Sequence, residues 1–362
     1  QCYALALDYD QDDGMLYAAG WVTCSAGGDS TRIVRWDGSS WTGVATMNGM
    51  VTALDAGAGK DLYAGGFFTS VMSNPNCGHI VRIDTNGAVY ALGSGMENTV
   101  DSIVVATNGT IYVAGWFRQA GHLTNVGYVA RWNPTTRDWS ELGVGLSDGA
   151  YAMAAGTANR LYLGGMFHDN DGDTNCHHIS EWNEDTQIWT NLGSGLNRIV
   201  YTLATDHDGN LYAGGNFTAA GSIEVQHVAK WNGNNWTNLG AGFSGGGDYY
   251  DVYALAVDSS NRVYAGGWFT NSGGVKFANV AMWDPISETW TNLGQGVVDL
   301  QEVHALAVDE NDHVYAGGCF TNVDGVQVSH IARWDPVAKS WTSLGSGVNC
   351  AVKALAFDEK GN

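Results

Sequence analysis

The chain predicts an all-β fold: a seven-bladed β-propeller of four-stranded antiparallel blades, with one redundant inner-strand copy at the C-terminus. Three observations carry this. A phrase of the form Leu-Tyr-Ala-Gly-Gly-aromatic-Phe-Thr recurs with its Tyr at 17, 63, 112, 162, 212, 264 and 315, at intervals of 46 to 52 residues. Repeats of that length bury their apolar face only against a neighbour. Apolar residues alternate with period two between turn signals, and no stretch has the 3.6-residue period of a helix. Fifty glycines against four prolines supply tight turns all along the chain, with no composition break to divide it. A single domain over 1–362 is therefore expected. Its repeats run at about 1–48, 49–97, 98–147, 148–197, 198–247, 248–299 and 300–349, with a partial repeat at 350–362.

The repeat at 252–296 shows each element in turn. Strand one, Val252–Asp258, alternates and ends in the turn Ser259–Asn261. Strand two, Val263–Thr270, contains the glycine pair Gly266 and Gly267; strand glycines permit a bulge and close approach of a neighbouring sheet. A loop leads to strand three, Asn279–Asp284, and a hairpin to strand four, Thr289–Leu293. Two hairpin lengths occur. Trp36 to Trp41 and Trp231 to Trp236 enclose Asp-Gly or Asn-Gly, whereas Trp132 to Trp139, Trp182 to Trp189, Trp283 to Trp290 and Trp334 to Trp341 are seven apart. The tryptophans hold their places while the turn changes length, as packing positions do. Of the 15 tryptophans, six fall in strand three, six in strand four, and Trp21, Trp116 and Trp268 follow the glycine pair. They read as inter-blade core rather than stacking platforms for sugars.

The glycine pair, an aromatic-Asp-Pro step and a Trp seven residues on, as in Trp283-Asp-Pro-Ile-Ser-Glu-Thr-Trp290 and Trp334-Asp-Pro-Val-Ala-Lys-Ser-Trp341, resemble the kelch-type propeller over nearly the whole chain. Similar tandem repeats occur in large secreted bacterial proteins and in fungal cell-surface polarity markers. The resemblance implies the fold; such propellers host binding modules and, more rarely, enzymes, so it does not settle function.

Strand one occurs eight times, at Tyr3–Asp8, Val51–Asp55, Val100–Val105, Tyr151–Ala155, Val200–Asp206, Val252–Asp258, Val303–Asp309 and Val352–Asp358, although a seven-bladed ring has seven inner slots. Three explanations stand: an excerpt of a longer chain, a ring with one terminal strand displaced, or a strand that pairs with a neighbouring molecule. Val352, Ala354, Leu355, Ala356 and Phe357 are the exchange residues of the third. The chain begins at Gln1 inside a strand pattern, which points to a processed or excerpted product.

Six cysteines include Cys2 and Cys350, both at the expected seam of the ring, and Cys24 and Cys77, in the loops after strand two of adjacent blades. Disulfides Cys2–Cys350 and Cys24–Cys77 are expected, and with them an oxidising compartment. Cys176 shares the slot of Cys77, and Cys319 reads as a buried thiol in the aromatic slot. The string His168-Asp-Asn-Asp-Gly-Asp-Thr-Asn175 alternates oxygen donors at Asp169, Asp171, Asp173 and Asn175, as calcium cages do, with a solvated acidic loop as the competing reading. Histidines 79, 178, 227 and 330 recur at the start of strand three and read as a repeated hydrogen-bonding position.

A net charge of −21, from 37 acidic and 16 basic residues, repels phosphate backbones and anionic lipid, so no nucleic-acid partner and no membrane insertion are expected. Neither a His-Glu-x-x-His zinc motif nor a phosphate loop is present. The reading is a non-enzymatic extracellular or cell-surface scaffold. It binds protein partners or copies of itself through the loops after strands two and four, and it forms a surface-array or filament block if the spare strand is exchanged. Calcium is the one cofactor the sequence suggests. Two alternatives are a carbohydrate-binding lectin, with exposed Trp in near-identical pockets, and a hydrolase or lyase with clustered, perturbed acids at the channel mouth.

Overall fold

A computed structural model describes residues 9–10, 15–22, 31–57, 61–72, 74–75, 77–168, 170, 177–245, 251–298, 301–350 and 352. The period-two runs form strands because alternate residues can be buried between neighbouring sheets, and each run is too short to do so as a helix. They assemble into seven four-stranded antiparallel sheets, in which strands lie in chain order from the channel outward. Blade 7 is typical: Val303–Val308, Val314–Gly318, Ile331–Asp335 and Ser340–Ser343. No helix occurs among the described residues, so none is long and apolar enough to cross a membrane. Among the described residues, four of the loops after strand two carry a miniature hairpin of their own, such as Asn271–Ser272 with Val275–Lys276 in blade 6.

The tryptophans are core. Trp132 pairs with Trp139, Trp182 with Trp189, Trp283 with Trp290 and Trp334 with Trp341 across the outer hairpins, at centroid separations of 5.2 to 5.5 Å. The strand-four tryptophan also donates its indole N–H to a carbonyl of the preceding blade. Trp139 reaches Leu92, Trp189 Leu142, Trp236 Leu192, Trp290 Leu239 and Trp341 Leu293, at 2.8 to 2.9 Å. Trp41 of blade 1 does the same to Leu344 of blade 7 at 3.1 Å, across the seam. Each apolar ring thus fills the wedge between sheets while its one polar atom is satisfied there.

The glycine pair has two separate jobs. A Cβ on Gly266 would stand 2.5 Å from Val303 Cγ1 of the next blade, so the first glycine lets neighbouring inner strands nest. A Cβ on Gly267 would stand 2.1 Å from the carbonyl oxygen of Asp251, so the second admits a bulge in strand one of its own blade.

The ring closes within the chain. Val352, the one described residue of the spare strand, bridges Gly20 of blade 1 and packs on Gly317 of blade 7, as Val303 packs on Gly266. At the other end of the same edge Tyr9 and Asp10 pair with Leu16 and Met15. Blade 1 therefore meets both chain termini on one inner edge. Ala354, Leu355, Ala356 and Phe357 lie outside the described residues.

Candidate functional site at the channel mouth

In six blades strand one contains a bulge at its first turn of pleat, and one residue is left without a cross-strand partner. These residues are Thr52, Asp101, Tyr151, Tyr201, Tyr253 and His304. A bulge re-aims the extra side chain, and here all six line one cavity of about 230 Å³ in the central channel. Because strand two runs antiparallel to strand one, its end lies beside the start of strand one. The cavity therefore opens on the face that carries the loops after strands two and four.

A second tier stands above the first. The residue after the glycine pair lies fifteen positions beyond the bulge residue of its own blade, and the two meet. Tyr151 donates its hydroxyl to Met166 Sδ at 3.1 Å, Asn216 Nδ2 donates to the Tyr201 hydroxyl at 3.5 Å, and Cys319 Sγ lies 3.6 Å from His304 Nε2. The Tyr151, Tyr201, Tyr253 and His304 rings follow one another around the mouth, with centroids 6.0, 5.7 and 5.2 Å apart. On the side of blades 1 and 2 the same tier presents Trp21 and Phe67, 45 % and 52 % exposed.

The mouth is acidic and poorly solvated. Burial pushes the Asp101 carboxyl up to about 7, and its Oδ2, shielded from water, has no hydrogen-bond partner among the described residues. Burial also raises Asp251, with the charge of Glu302 adding to it, although the Tyr253 hydroxyl donates to its Oδ2 at 3.1 Å. Tyr201 is pushed up to about 12 by burial and then by Asp251. Glu302 Oε2 sits 2.7 Å from His304 Nε2. Negative charge gathered in a low-dielectric cleft attracts cations and holds protons.

The expected sites are placed unevenly. Asp169, Asp171, Asp173 and Asn175 lie outside the described residues, as do Cys2, Cys24 and Cys176. Cys350 lies at the seam, within electrostatic reach of Arg32 of blade 1. Cys77 is buried, and burial raises its thiol pKa. Cys319, read as a buried thiol, is instead half-buried, because its slot opens on the channel mouth as do those of Trp21 and Phe67. The recurring histidines take left-handed φ values of 62 to 66°. His79 and His178 set Nδ1 at 2.9 and 3.2 Å from the carbonyls of Gly66 and Gly165, which is the hydrogen-bonding role expected of that slot. Burial, then His168, drive His178 down to about 4, so it is neutral at pH 7.

Sequence reasoning passed over Asp101, Asp251, Glu302 and the tyrosines. For Asp101 and the tyrosines the signal was present: one position of strand one, directly after a Val in most blades, changes chemical type from blade to blade, whereas Asp251 and Glu302 lie two positions before it.

Comparison with known proteins follows the geometry. Residues 84–245, under half of the chain, match the family model described as the Rax2 C-terminal beta propeller domain. The solved structure of U3-55K superposes with a TM-score of 0.58 at 14 % identity, over 87 % of this chain and 88 % of that one. That likeness is one of fold alone. No curated protein matches the chain in sequence. The chain is a β-propeller protein. With 797 solved chains matching it, the architecture by itself discriminates among no functions.

Proposed function

We propose that this propeller is a non-enzymatic interaction scaffold, extracellular or displayed on a cell surface, that engages a protein partner over its channel mouth. The observation that carries the reading is the exposure of Trp21 and Phe67 there, in a protein that buries eleven tryptophans of its outer strands; among the described aromatics only Tyr90, on strand four of blade 2, is comparably exposed. Exposed aromatics beside an acidic cavity suit a partner segment that offers an apolar anchor next to a Lys or Arg. Exchange of the spare strand between copies gains no support from Val352, which pairs inside its own ring. Lectin-type pockets gain none from the buried strand tryptophans.

Crosslinking mass spectrometry in the native extracellular fraction tests this. The wild type is expected to capture a discrete partner, the Trp21→Ser/Phe67→Ser variant to lose it, and Val337→Ser, on the opposite face, to keep it. Capture that ignores the mouth pair, or the same partners with every variant, counts against the proposal.

A second reading has one observation in its favour. Asp101, with a carboxyl near 7, is poised as a general acid, which suits hydrolytic chemistry at the mouth. Turnover of a panel of glycosides and esters that vanishes in Asp101→Asn would establish it in place of the first.

A further inference from the structure

We infer that Glu302, His304 and Cys319 form a binding site for a borderline transition-metal ion of the zinc class, open to the central channel. The inference is independent of the partner-binding reading and needs no partner to be tested.

Three different donor types converge here from two strands. Glu302 precedes strand one of blade 7, His304 is its bulge residue, and Cys319 follows the glycine pair of strand two. The Cys319 N–H donates to the Glu302 carbonyl at 3.0 Å, so the backbone holds both segments in register. Their ligating atoms all lie within 4.8 Å of one another. His304 Nε2 stands between the other two, 2.7 Å from Glu302 Oε2 and 3.6 Å from Cys319 Sγ. Zn–N distances of about 2.0–2.1 Å and a Zn–S distance of about 2.3 Å at tetrahedral angles require N···S near ~3.6 Å and N···O near ~3.3 Å. The thiol and imidazole already have that separation, and the carboxylate has to back away by about half an ångström.

The sister blades supply the control. At the same three positions blade 6 has Asp251, Tyr253 and Trp268, blade 5 has Ile199, Tyr201 and Asn216, and blade 4 has Gly149, Tyr151 and Met166. The fold therefore needs none of these donors, and among the six blades whose mouth tiers are described only blade 7 departs toward ligands at all three places at once. Thiolate with imidazole selects zinc-class ions over calcium or magnesium. His304 is buried while Glu302 and Cys319 keep contact with the channel, which leaves the fourth coordination position facing solvent. Tyr253, its ring 5.2 Å from that of His304, and Asp251 stand beside it as outer support. Loading releases the Cys319 thiol proton, so affinity falls as the pH is lowered.

The test is titration of the full chain, stripped by chelator, with Co2+ alone, followed by Zn2+ competition. One equivalent is expected to bind with a thiolate-to-cobalt charge-transfer band, and Zn2+ is expected to erase it. Cys319→Asn and His304→Tyr introduce residues that sister blades carry at those slots, so both are expected to fold, as circular dichroism would check. Each should abolish the band and weaken Zn2+ binding at least about tenfold, while Cys77→Ser keeps both. Failure of the wild type to bind, binding without the thiolate band, or folded variants that bind as tightly as the wild type would overturn the site.

Discussion

Eleven tryptophans of strands three and four are buried to 8 % exposure or less, and six indoles reach a carbonyl one blade away. At the channel mouth, on the same repeat, the six bulge positions carry Thr, Asp, Tyr, Tyr, Tyr and His. The first layer touches a neighbouring sheet on every side, so its residue type is fixed by the space available. The second faces open channel, where the fold imposes only a backbone shape. Within one chain the repeat thus separates what holds the ring from what is left for chemistry.

The tryptophan layer is where the comparison should break hardest. Trp182→Ala, at a site 1 % exposed, is expected to cost about 3–5 kcal/mol by denaturant unfolding. Trp139→Phe keeps a smaller aromatic ring but leaves the Leu92 carbonyl without its indole donor, and should cost about 1–2 kcal/mol. Equal losses from the two would mean that the lost volume adds nothing beyond the lost hydrogen bond.

Asp101→Asn probes the mouth through pH. The folded carboxyl near 7 lies above its unfolded value of about 3.9. Its contribution is complete below pH 4 and drains away as the pH rises through 7. The variant should therefore gain on the wild type by on the order of 2–4 kcal/mol between pH 4 and pH 8. A gap that stays constant over that range would show that burial does not perturb Asp101.

Gly267→Ala joins the two layers. Its methyl would press on the Asp251 carbonyl, with a cost of about 1–3 kcal/mol. It should also shift the Tyr253 signals in an NMR spectrum, since the bulge sets that ring. The smallest effect belongs to Trp21→Ser/Phe67→Ser, which should leave stability within about 0.5 kcal/mol. A larger loss would make those rings part of the core.

Much of this was legible in the residues. The interval between glycine pairs gives the blade, and the Trp-to-Trp spacing gives the outer register, because both are set by contacts that every blade repeats. The mouth was harder to read. A bulge adds a residue to one strand only, so the alternation in Val303-His-Ala-Leu-Ala-Val308 looks unbroken while His304 swings into the channel. Cys319 was misjudged for a related reason: its slot borders solvent at the mouth, which no local pattern reveals. The hairpin Asn271-Ser-Gly-Gly-Val-Lys276 has too few residues to show any alternation.

One joint differs from the rest. Six blades lean on their predecessor through an indole, but blade 2 has Ile83 and Val89 where the others carry tryptophans, so it extends no such arm to blade 1. Identical head-to-tail contacts form a circle only when the rotation each imposes divides a full turn; otherwise they wind into a spiral. In this ring six joints carry an indole hydrogen bond, and one has the apolar packing of Ile83 and Val89 in its place, without that directional bond to fix its angle. That joint is the boundary between blades 1 and 2, the same arc of the rim from which Trp21 and Phe67 project.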